Sequence, residues 1–331
     1  KGNRVKVPNS ATRNTGKSAE GKWTPEKAGR AKNMLPQFRE KHKFSYENFD
    51  AGLRLMIWGF FMKLCVADRV STYVDAVYNN YMEHSGVSLL LATFFFTFQI
   101  YCDFAGYSLI AIGSSKMMGF TLMENFHRPY FAKSIKEFWR RWHISLSTWF
   151  KDYLYIPLGG NRVGHYRHLW NLFVTFLVSG IWHGANLTFV LWGSLHGLYQ
   201  IVGIEKNRLL PKVNVSKRLH AVFNCLVTFV LVMFAWIFFR ANDLHSAFSI
   251  IAKIFTDRGP LFTGEGIPSL LLGFMCIGIL MLKEIKDEMS IKVHALNSKN
   301  YWVRIISISL FIAFIILTAS FNGGAFIYFQ F

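Results

Sequence analysis

The feature that most constrains the fold of this chain is a set of long apolar windows without formal charge. Residues 221–239, 267–282 and 305–321 contain no Asp, Glu, Lys or Arg. At about 1.5 Å per helical residue, the first and third can cross ~30 Å of hydrocarbon, whereas the second is short for a full span. Hydrophobic residues make up 52% of the chain and aromatic residues 17%, which points to lipid rather than a soluble core. The windows therefore predict an all-α, polytopic transmembrane helical bundle.

Basic residues dominate the polar segments between these windows. Lys and Arg total 37 against 19 Asp and Glu, a formal net charge of +18. In a soluble chain this excess would indicate nucleic-acid binding, but loops rich in Lys and Arg also stay on the cytoplasmic side of a membrane. Because the basic residues lie between apolar windows, we interpret the charge as topology. We expect the lipid bilayer, and no nucleic acid, as a partner.

The chain divides into a polar tail and one membrane domain. Residues 1–33 are polar and basic with almost no apolar periodicity, so they are expected to form a disordered or cytosolic tail. Residues 34–331 are expected to form the transmembrane domain. In it, a helix over residues 53–67 would let Arg54 and Lys63 snorkel to the interface.

Residues 87–118 supply two spans' worth of apolar sequence and contain one carboxylate, Asp103. A carboxylate in such a run must face protein or water, not lipid. Asp103 could relay a proton, orient another side chain, or bond to backbone groups freed near Gly106. We favour the structural role.

Residues 126–168 mix basic and aromatic side chains at helical spacing, which is typical of helices at the cytoplasmic interface. The periodicity places His143 on the aromatic face of one helix. That predicted face consists of Trp139, Trp142, His143, Leu146 and Phe150.

His183 is the only ionisable side chain between residues 170 and 195. A titratable group in a membrane-like segment is costly and marks a functional site by default, although a core histidine bonded to a neighbouring helix would give the same pattern. Gly180 and Gly184 flank His183 and can permit a helix break or close packing there. We therefore expect re-entrant as well as interfacial helices.

Disulfide and metal chemistry find little support. Each of the four cysteines lies alone in an apolar stretch, as small core residues do. His165 and His168 are three residues apart, but they lie in a basic turn without an acidic partner, so no metal is expected. His196 is interpreted as packing.

The remaining candidates for chemistry are His143 and His183. A neutral imidazole is the usual general base for a hydroxyl proton, and burial keeps a histidine neutral. The sequence contains no P-loop, dinucleotide-binding glycine pattern, Gly-x-Ser-x-Gly or His-Glu-x-x-His. One buried base without a nucleophile suits direct acyl transfer from a thioester to an alcohol.

Several motifs resemble those of the membrane-bound O-acyltransferase (MBOAT) family. The two longest are FWRRWHISLSTWFKDYLYIPLGGNR at residues 138–162 and SGIWHGA at residues 179–185. Shorter matches are LPQF at 35–38, YCDFAGYS at 101–108 and FIYFQF at 326–331. The turn IPLGGNR is similar to that of the bacterial alginate and cell-wall O-acetylases.

The resemblance implies that His183 is the catalytic base in a tunnel through the membrane and that His143 lies nearer the cytosolic donor side. Acetyl from acetyl-CoA or another acyl thioester, a substrate rather than a tightly bound cofactor, would pass to an exported polysaccharide or cell-wall polymer. A periplasmic or extracellular partner protein could receive it first. The protein would be a multi-pass component of the bacterial inner membrane. The residues expected to bind the donor or line the site are Arg140, Arg141, Trp142, Asp103 and Asn186.

Three alternatives stay open. Arg140 and Arg141 could contact lipid headgroups instead of donor phosphates. The chain could transfer D-alanine to teichoic acid, although those proteins usually lack the Pro-Leu-Gly-Gly-Asn-Arg turn, or it could be a transporter or channel with His183 as a proton relay. Family members usually carry several transmembrane helices before the LPQF motif, whereas residues 1–28 match nothing in the family, so the start is expected to be truncated or replaced.

Overall fold

Every regular element in the described part of the chain is helical. The computed structural model describes residues 31–209, 216–291, 298 and 300–321. Residues 1–30 of the predicted tail and the closing motif at 326–331 lie outside these ranges. The predicted all-α class is confirmed.

The described ranges contain twelve α-helices, two π-helical segments and one 3₁₀ turn. The α-helices are α1 Ala31–Phe38, α2 Tyr46–Phe60, α3 Asp68–Asn79, α4 Gly86–Met117, α5 Ile135–Arg141, α6 Ile144–Phe150, α7 His165–His183, α8 Leu187–Leu209, α9 Lys217–Arg240, α10 Leu244–Thr256, α11 Ile267–Glu288 and α12 Tyr301–Thr318. The π segments are Phe61–Ala67, which joins α2 to α3, and Lys151–Tyr155, which extends α6. The 3₁₀ turn is Pro129–Phe131.

Five of these helices are long and apolar enough to cross a bilayer, which confirms a multi-pass membrane protein. They are α4, α8, α9, α11 and α12. The window at 267–282 looked short for a span, but its helix continues to Glu288 and reaches 22 residues. The added turns carry Lys283 and Lys286, which lie where a helix leaves the hydrocarbon.

Helix α4 forms the centre of the bundle. Residues 87–118 were predicted to supply two spans, but all except the capping Met118 lie in one uninterrupted helix of 32 residues, Gly86–Met117. At about 1.5 Å per residue this helix is longer than ~30 Å of hydrocarbon. Gly106 and Gly113 lie in the interior of α4 and pack against a neighbouring helix. They do not break α4, because a glycine inside a helix costs only about 1 kcal/mol relative to alanine.

That neighbour is α2, which approaches α4 through two pairs of glycines. A Cβ added at Gly106 would lie 2.8 Å from the carbonyl oxygen of Gly59, and one at Gly113 would lie 2.5 Å from that of Gly52. In each helix the two glycines are seven residues apart, so they share one face. Small residues let membrane helices pack at backbone contact.

A buried ion-pair cluster lies in the same contact. Lys63 Nζ lies 2.6 Å from Asp103 Oδ1 and 2.7 Å from Asp68 Oδ1. The prediction that Lys63 snorkels to the interface is therefore wrong, because the π segment turns its side chain toward α4. Arg54 pairs with Asp50 one turn earlier, at 2.7 Å.

Candidate functional site

His183 is the last residue of α7, where the chain breaks before α8 begins. Gly184 is extended, and Asn186 caps α8 by accepting a hydrogen bond from the backbone N–H of Thr188 at 3.1 Å. Asn186 also donates to the carbonyl oxygen of Asn242 at 2.5 Å, which joins the break to the end of α9. The predicted helix break beside His183 is confirmed.

Aromatic rings from three helices surround the half-buried His183. Its ring centroid lies 5.1 Å from that of Trp192 on α8 and 5.3 Å from that of Phe239 on α9, both in edge-to-face geometry. Trp182 precedes it on α7, with centroids 5.1 Å apart. The imidazole therefore lies in an apolar wall that few charges approach.

His143 lies in a second break, and its predicted position on a continuous helical face is wrong. Helix α5 ends at Arg141, His143 adopts left-handed φ 42° and ψ 56°, and α6 begins at Ile144. Two backbone hydrogen bonds to another segment cause the break. His127 donates to the carbonyl of Arg141 at 2.9 Å, and Ile144 donates to that of Asn125 at 3.0 Å.

The break turns His143 toward α4 and the His183 region. Its ring packs edge-on against Phe104, with centroids 4.7 Å apart, and Nδ1 lies 3.2 Å from Ser145 Oγ. Trp142, the residue before His143, begins a row of rings through Trp236 and Trp192 that ends at His183. One aromatic wall thus links two histidines that are 40 positions apart in sequence.

Three tryptophans connect the two breaks. Fully buried Trp142 lies 5.1 Å from Trp236 between ring centroids, and Trp236 stacks on Trp192 at 5.9 Å. Trp192 in turn contacts His183. Trp142, predicted to line the site, therefore belongs to its aromatic wall.

His196, which the sequence suggested was packing, makes a specific polar contact in this wall. It is fully buried, and its Nδ1 accepts a hydrogen bond from Trp139 Nε1 at 3.2 Å. Trp192 lies one helical turn earlier, with ring centroids 5.1 Å apart. The spacing of four between Trp192 and His196 was the available signal, because such residues share a helix face.

The two neighbouring arginines of α5 have different surroundings. Arg141 donates to Glu137 at 2.6 Å and to both carboxylate oxygens of Glu288 at 3.0 Å. Arg128 donates to the same Glu288 at 2.8 Å. Arg140 is exposed and forms no ion pair with any residue in the described ranges.

Charge in this cluster also affects a neighbouring histidine. Burial, followed by the nearby guanidiniums of Arg128 and Arg141, lowers the pKa of His127. Its Nε2 lies 3.0 Å from an Arg128 nitrogen and accepts from it, since a guanidinium only donates. A neutral His127 is consistent with this contact.

Two further sequence candidates lie in structural ion pairs. Asp103 precedes Phe104, the partner of His143, but it is turned toward Lys63. His165 lies 2.5 Å from Glu205 of α8, so the expectation of no acidic partner is wrong. The partner lies 40 residues away, beyond the reach of a local motif.

The structure also contains a cavity of about 280 Å³ that does not touch this site. It lies between α3, α4, the N-terminal end of α11 and the preceding loop, and Arg69, Tyr73, Phe262 and Glu265 line it. None of its lining residues belongs to α5–α9. The two histidines, rather than this cavity, are the candidate reaction centre.

Comparison with known proteins identifies the family. The sequence profile of the MBOAT, membrane-bound O-acyltransferase family matches residues 31–241. The probable alginate O-acetylase AlgI of Pseudomonas putida is 35% identical over 91% of this chain and 65% of its own length. The peptidoglycan O-acetyltransferase of Helicobacter pylori is 38% identical over 66% of this chain and 41% of its own length.

A teichoic acid D-alanyltransferase is also similar, at lower identity. The Bacillus subtilis protein is 27% identical over 59% of this chain and 51% of its own length. The chain thus spans less than two thirds of the length of each of these three relatives.

Proposed function

Because this chain belongs to the membrane-bound O-acyltransferase family, we propose that it carries the reaction centre of an O-acyltransferase. The observation that carries this proposal is that one aromatic wall links His143 and His183, each of which lies at a separate helix break. Both histidines are half-buried rather than fully enclosed.

The proposed reaction moves an acetyl group from a cytosolic thioester, such as acetyl-CoA, to a hydroxyl of an exported polysaccharide or cell-wall polymer. His183 accepts the hydroxyl proton while the oxygen attacks the thioester carbonyl carbon. The carbon–sulfur bond then breaks, and the proton passes from His183 to the departing thiolate. The thiol leaves and His183 is neutral again, so the proton balance closes without a further acid.

His143 assists this reaction from the donor side. Its contact with Ser145 Oγ orients the imidazole, and it follows the basic end of α5. Basic segments favour the cytosolic side, which supports a role on the donor side. It either positions the thioester or relays the proton to the leaving thiolate. Asn186 and Trp142 keep the two breaks in place rather than contacting the reacting atoms.

The relatives support acetyl as the transferred group and a polymer as its acceptor. The two O-acetylases are 35% and 38% identical to this chain, against 27% for the B. subtilis D-alanyltransferase. A partner protein outside the membrane could receive the acetyl group before the polymer does. We place the protein in the bacterial inner membrane.

The test is replacement of His183 by alanine in membranes supplied with labelled acetyl-CoA and cell-wall polymer. Loss of a general base lowers the transfer rate by about 10²–10⁴-fold. His245→Ala is the matched control, because His245 is exposed at the start of α10, away from the aromatic wall. Equal amounts of inserted protein must be compared.

Transfer at the normal rate by correctly inserted His183→Ala protein would remove His183 from the mechanism. His143→Ala should lower transfer severely over the whole range of donor concentrations, and unchanged kinetics would exclude a role for His143. Flux of a labelled solute without any acylated product would favour the transporter alternative instead.

A further inference from the structure

Glu288, the last residue of α11, contacts the turn that presents His143. Its two carboxylate oxygens each accept a hydrogen bond from Arg141 at 3.0 Å, and one also accepts from Arg128 Nε at 2.8 Å. Glu288 lies 147 positions after Arg141 and outside residues 31–241, the part matched by the family profile. Glu288 therefore attaches the end of α11 to this turn by three hydrogen bonds.

The turn that Glu288 contacts is conformationally strained. Arg128 has φ 47° and His143 has φ 42°, values that non-glycine residues rarely adopt. Each such residue costs roughly 1 kcal/mol or more and persists only where its surroundings hold it. Arg128 and His143 lie in two segments joined by backbone hydrogen bonds, and contacts from outside these segments are needed to hold both in this conformation.

Glu288 holds both segments at once. Arg128 precedes the 3₁₀ turn, Arg141 ends helix α5, and Arg141 also donates to the Arg128 carbonyl oxygen at 3.3 Å. The side chains of Arg128, Arg141 and Glu288 are 24%, 15% and 25% exposed, so water screens these bonds only partly. Bidentate pairs of this kind are stronger and more directional than surface ion pairs.

The same bonds leave Arg141 little capacity for a phosphate. Arg128 and Arg141 carry two positive charges, and Glu137 and Glu288 carry two negative charges, so the cluster is formally neutral. Four hydrogen bonds of Arg141 are already directed at protein oxygens. A donor phosphate would have to displace a carboxylate.

We propose that Glu288 is a positioning residue for the acyl transfer: through Arg128 and Arg141 it holds the turn that presents His143. The effect on the transfer rate rests on the proposed function, whereas the effect on the turn does not depend on activity. Arg141 then serves to anchor the turn to Glu288 and is not a ligand of the donor.

The first experiment measures the turn without any substrate. Hydrogen exchange of backbone amides in the purified, detergent-solubilised protein reports the bonds from His127 to Arg141 and from Ile144 to Asn125. Glu288→Gln should raise exchange at His127 and Ile144 by about tenfold or more. Asp287→Asn is the matched control, because it removes a neighbouring charge that pairs with Lys283 instead. If the amides of His127 and Ile144 exchange at the same rate in both variants, the inference is overturned.

The second experiment measures transfer kinetics in a double-mutant cycle of Glu288→Gln and Arg141→Gln. Misplacing a catalytic group can cost up to about 10²-fold, so each variant should lower kcat by roughly tenfold or more while the donor KM stays within about twofold. The double variant should be no slower than the slower single variant, because both changes release the same turn.

Other outcomes separate the two proposals. If Arg141→Gln raises the donor KM while Glu288→Gln changes nothing, Arg141 binds the donor and the inference fails. If Glu288→Gln loosens the turn and His143→Ala leaves transfer unchanged, the role of His143 fails and the positioning role fails with it. If loosening occurs and no acyl transfer is detected in the unaltered protein, the proposed function fails and Glu288 is a structural constraint only.

Discussion

At the scale of single residues, identical side chains next to each other have different roles because their partners differ. Arg140 and Arg141 are adjacent, and the sequence made both candidates for contact with donor phosphates or lipid headgroups. The carboxylates of Glu137 and Glu288 occupy Arg141, whereas Arg140 is exposed without an ion pair in the described ranges. Of the two, Arg140 retains the free charge that a phosphate needs.

Arg140→Gln should therefore raise the KM for acetyl-CoA. One partly exposed charge-assisted contact contributes about 1 kcal/mol, or roughly fivefold in KM. The KM for a short acetyl thioester without phosphates should stay unchanged, since its binding does not involve the guanidinium. Steady-state kinetics with both donors check this, and an equal effect on both would contradict a phosphate contact.

At the scale of helices, α7 and α8 hold His183 against Trp192 because two glycines let them touch. A Cβ added at Gly193 would lie 2.4 Å from the carbonyl oxygen of Phe176 and 3.0 Å from Gly180 Cα. Backbone atoms cannot move aside as a flexible side chain can. The distance between His183 on α7 and Trp192 on α8 therefore depends on glycine at position 193, since an alanine methyl group there would push the two helices apart.

Gly193→Ala should separate the two helices and lower both stability and transfer. Overpacking costs about 1–3 kcal/mol, which thermal unfolding in detergent measures beside the transfer assay. Gly203→Ala, on the same helix with nothing within 4 Å, is the control. It should be neutral or stabilising by up to about 1 kcal/mol, because alanine favours helix. Similar losses in both variants would disprove the close-contact argument.

At the scale of the whole molecule, the ion pair between Glu288 and Arg141 relates α11 to the basic segment at 128–168, because it brings the end of this helix to that segment. If α11 spans the membrane, its start, with exposed Glu265 just before it, lies on the opposite side. Because basic loops stay on the cytosolic side, we predict that the basic segment faces the cytosol and Glu265 the outside.

Single cysteines at Arg162 and Glu265 test this topology in a Cys225→Ser background, since Cys225 is the partly exposed native thiol. An impermeant thiol reagent added to intact cells should label Glu265→Cys and leave Arg162→Cys unlabelled. Both positions are exposed in the structure. Labelling at position 162 from outside would invert the orientation and the donor side with it.

The sequence by itself determined the helical class, most of the membrane spans, the family and the break beside His183. These properties depend on composition and on interactions between residues within about four positions of each other. The hydrophobic periodicity and the positions of the glycines in the sequence therefore predict them. Asn186 and Gly184 lie within three residues of His183, so their effect was readable.

Only the tertiary structure decided how His143 is presented and which charges remain available. A helical face was predicted through His143, but hydrogen bonds from 125–127 end the helix there. Besides near neighbours, Lys63 and Arg141 have the distant partners Asp103 and Glu288, 40 and 147 positions away. The partner of His165 is Glu205, 40 positions away. No local pattern encodes such contacts, because the energy of an ion pair depends on distance in space and not on separation along the chain.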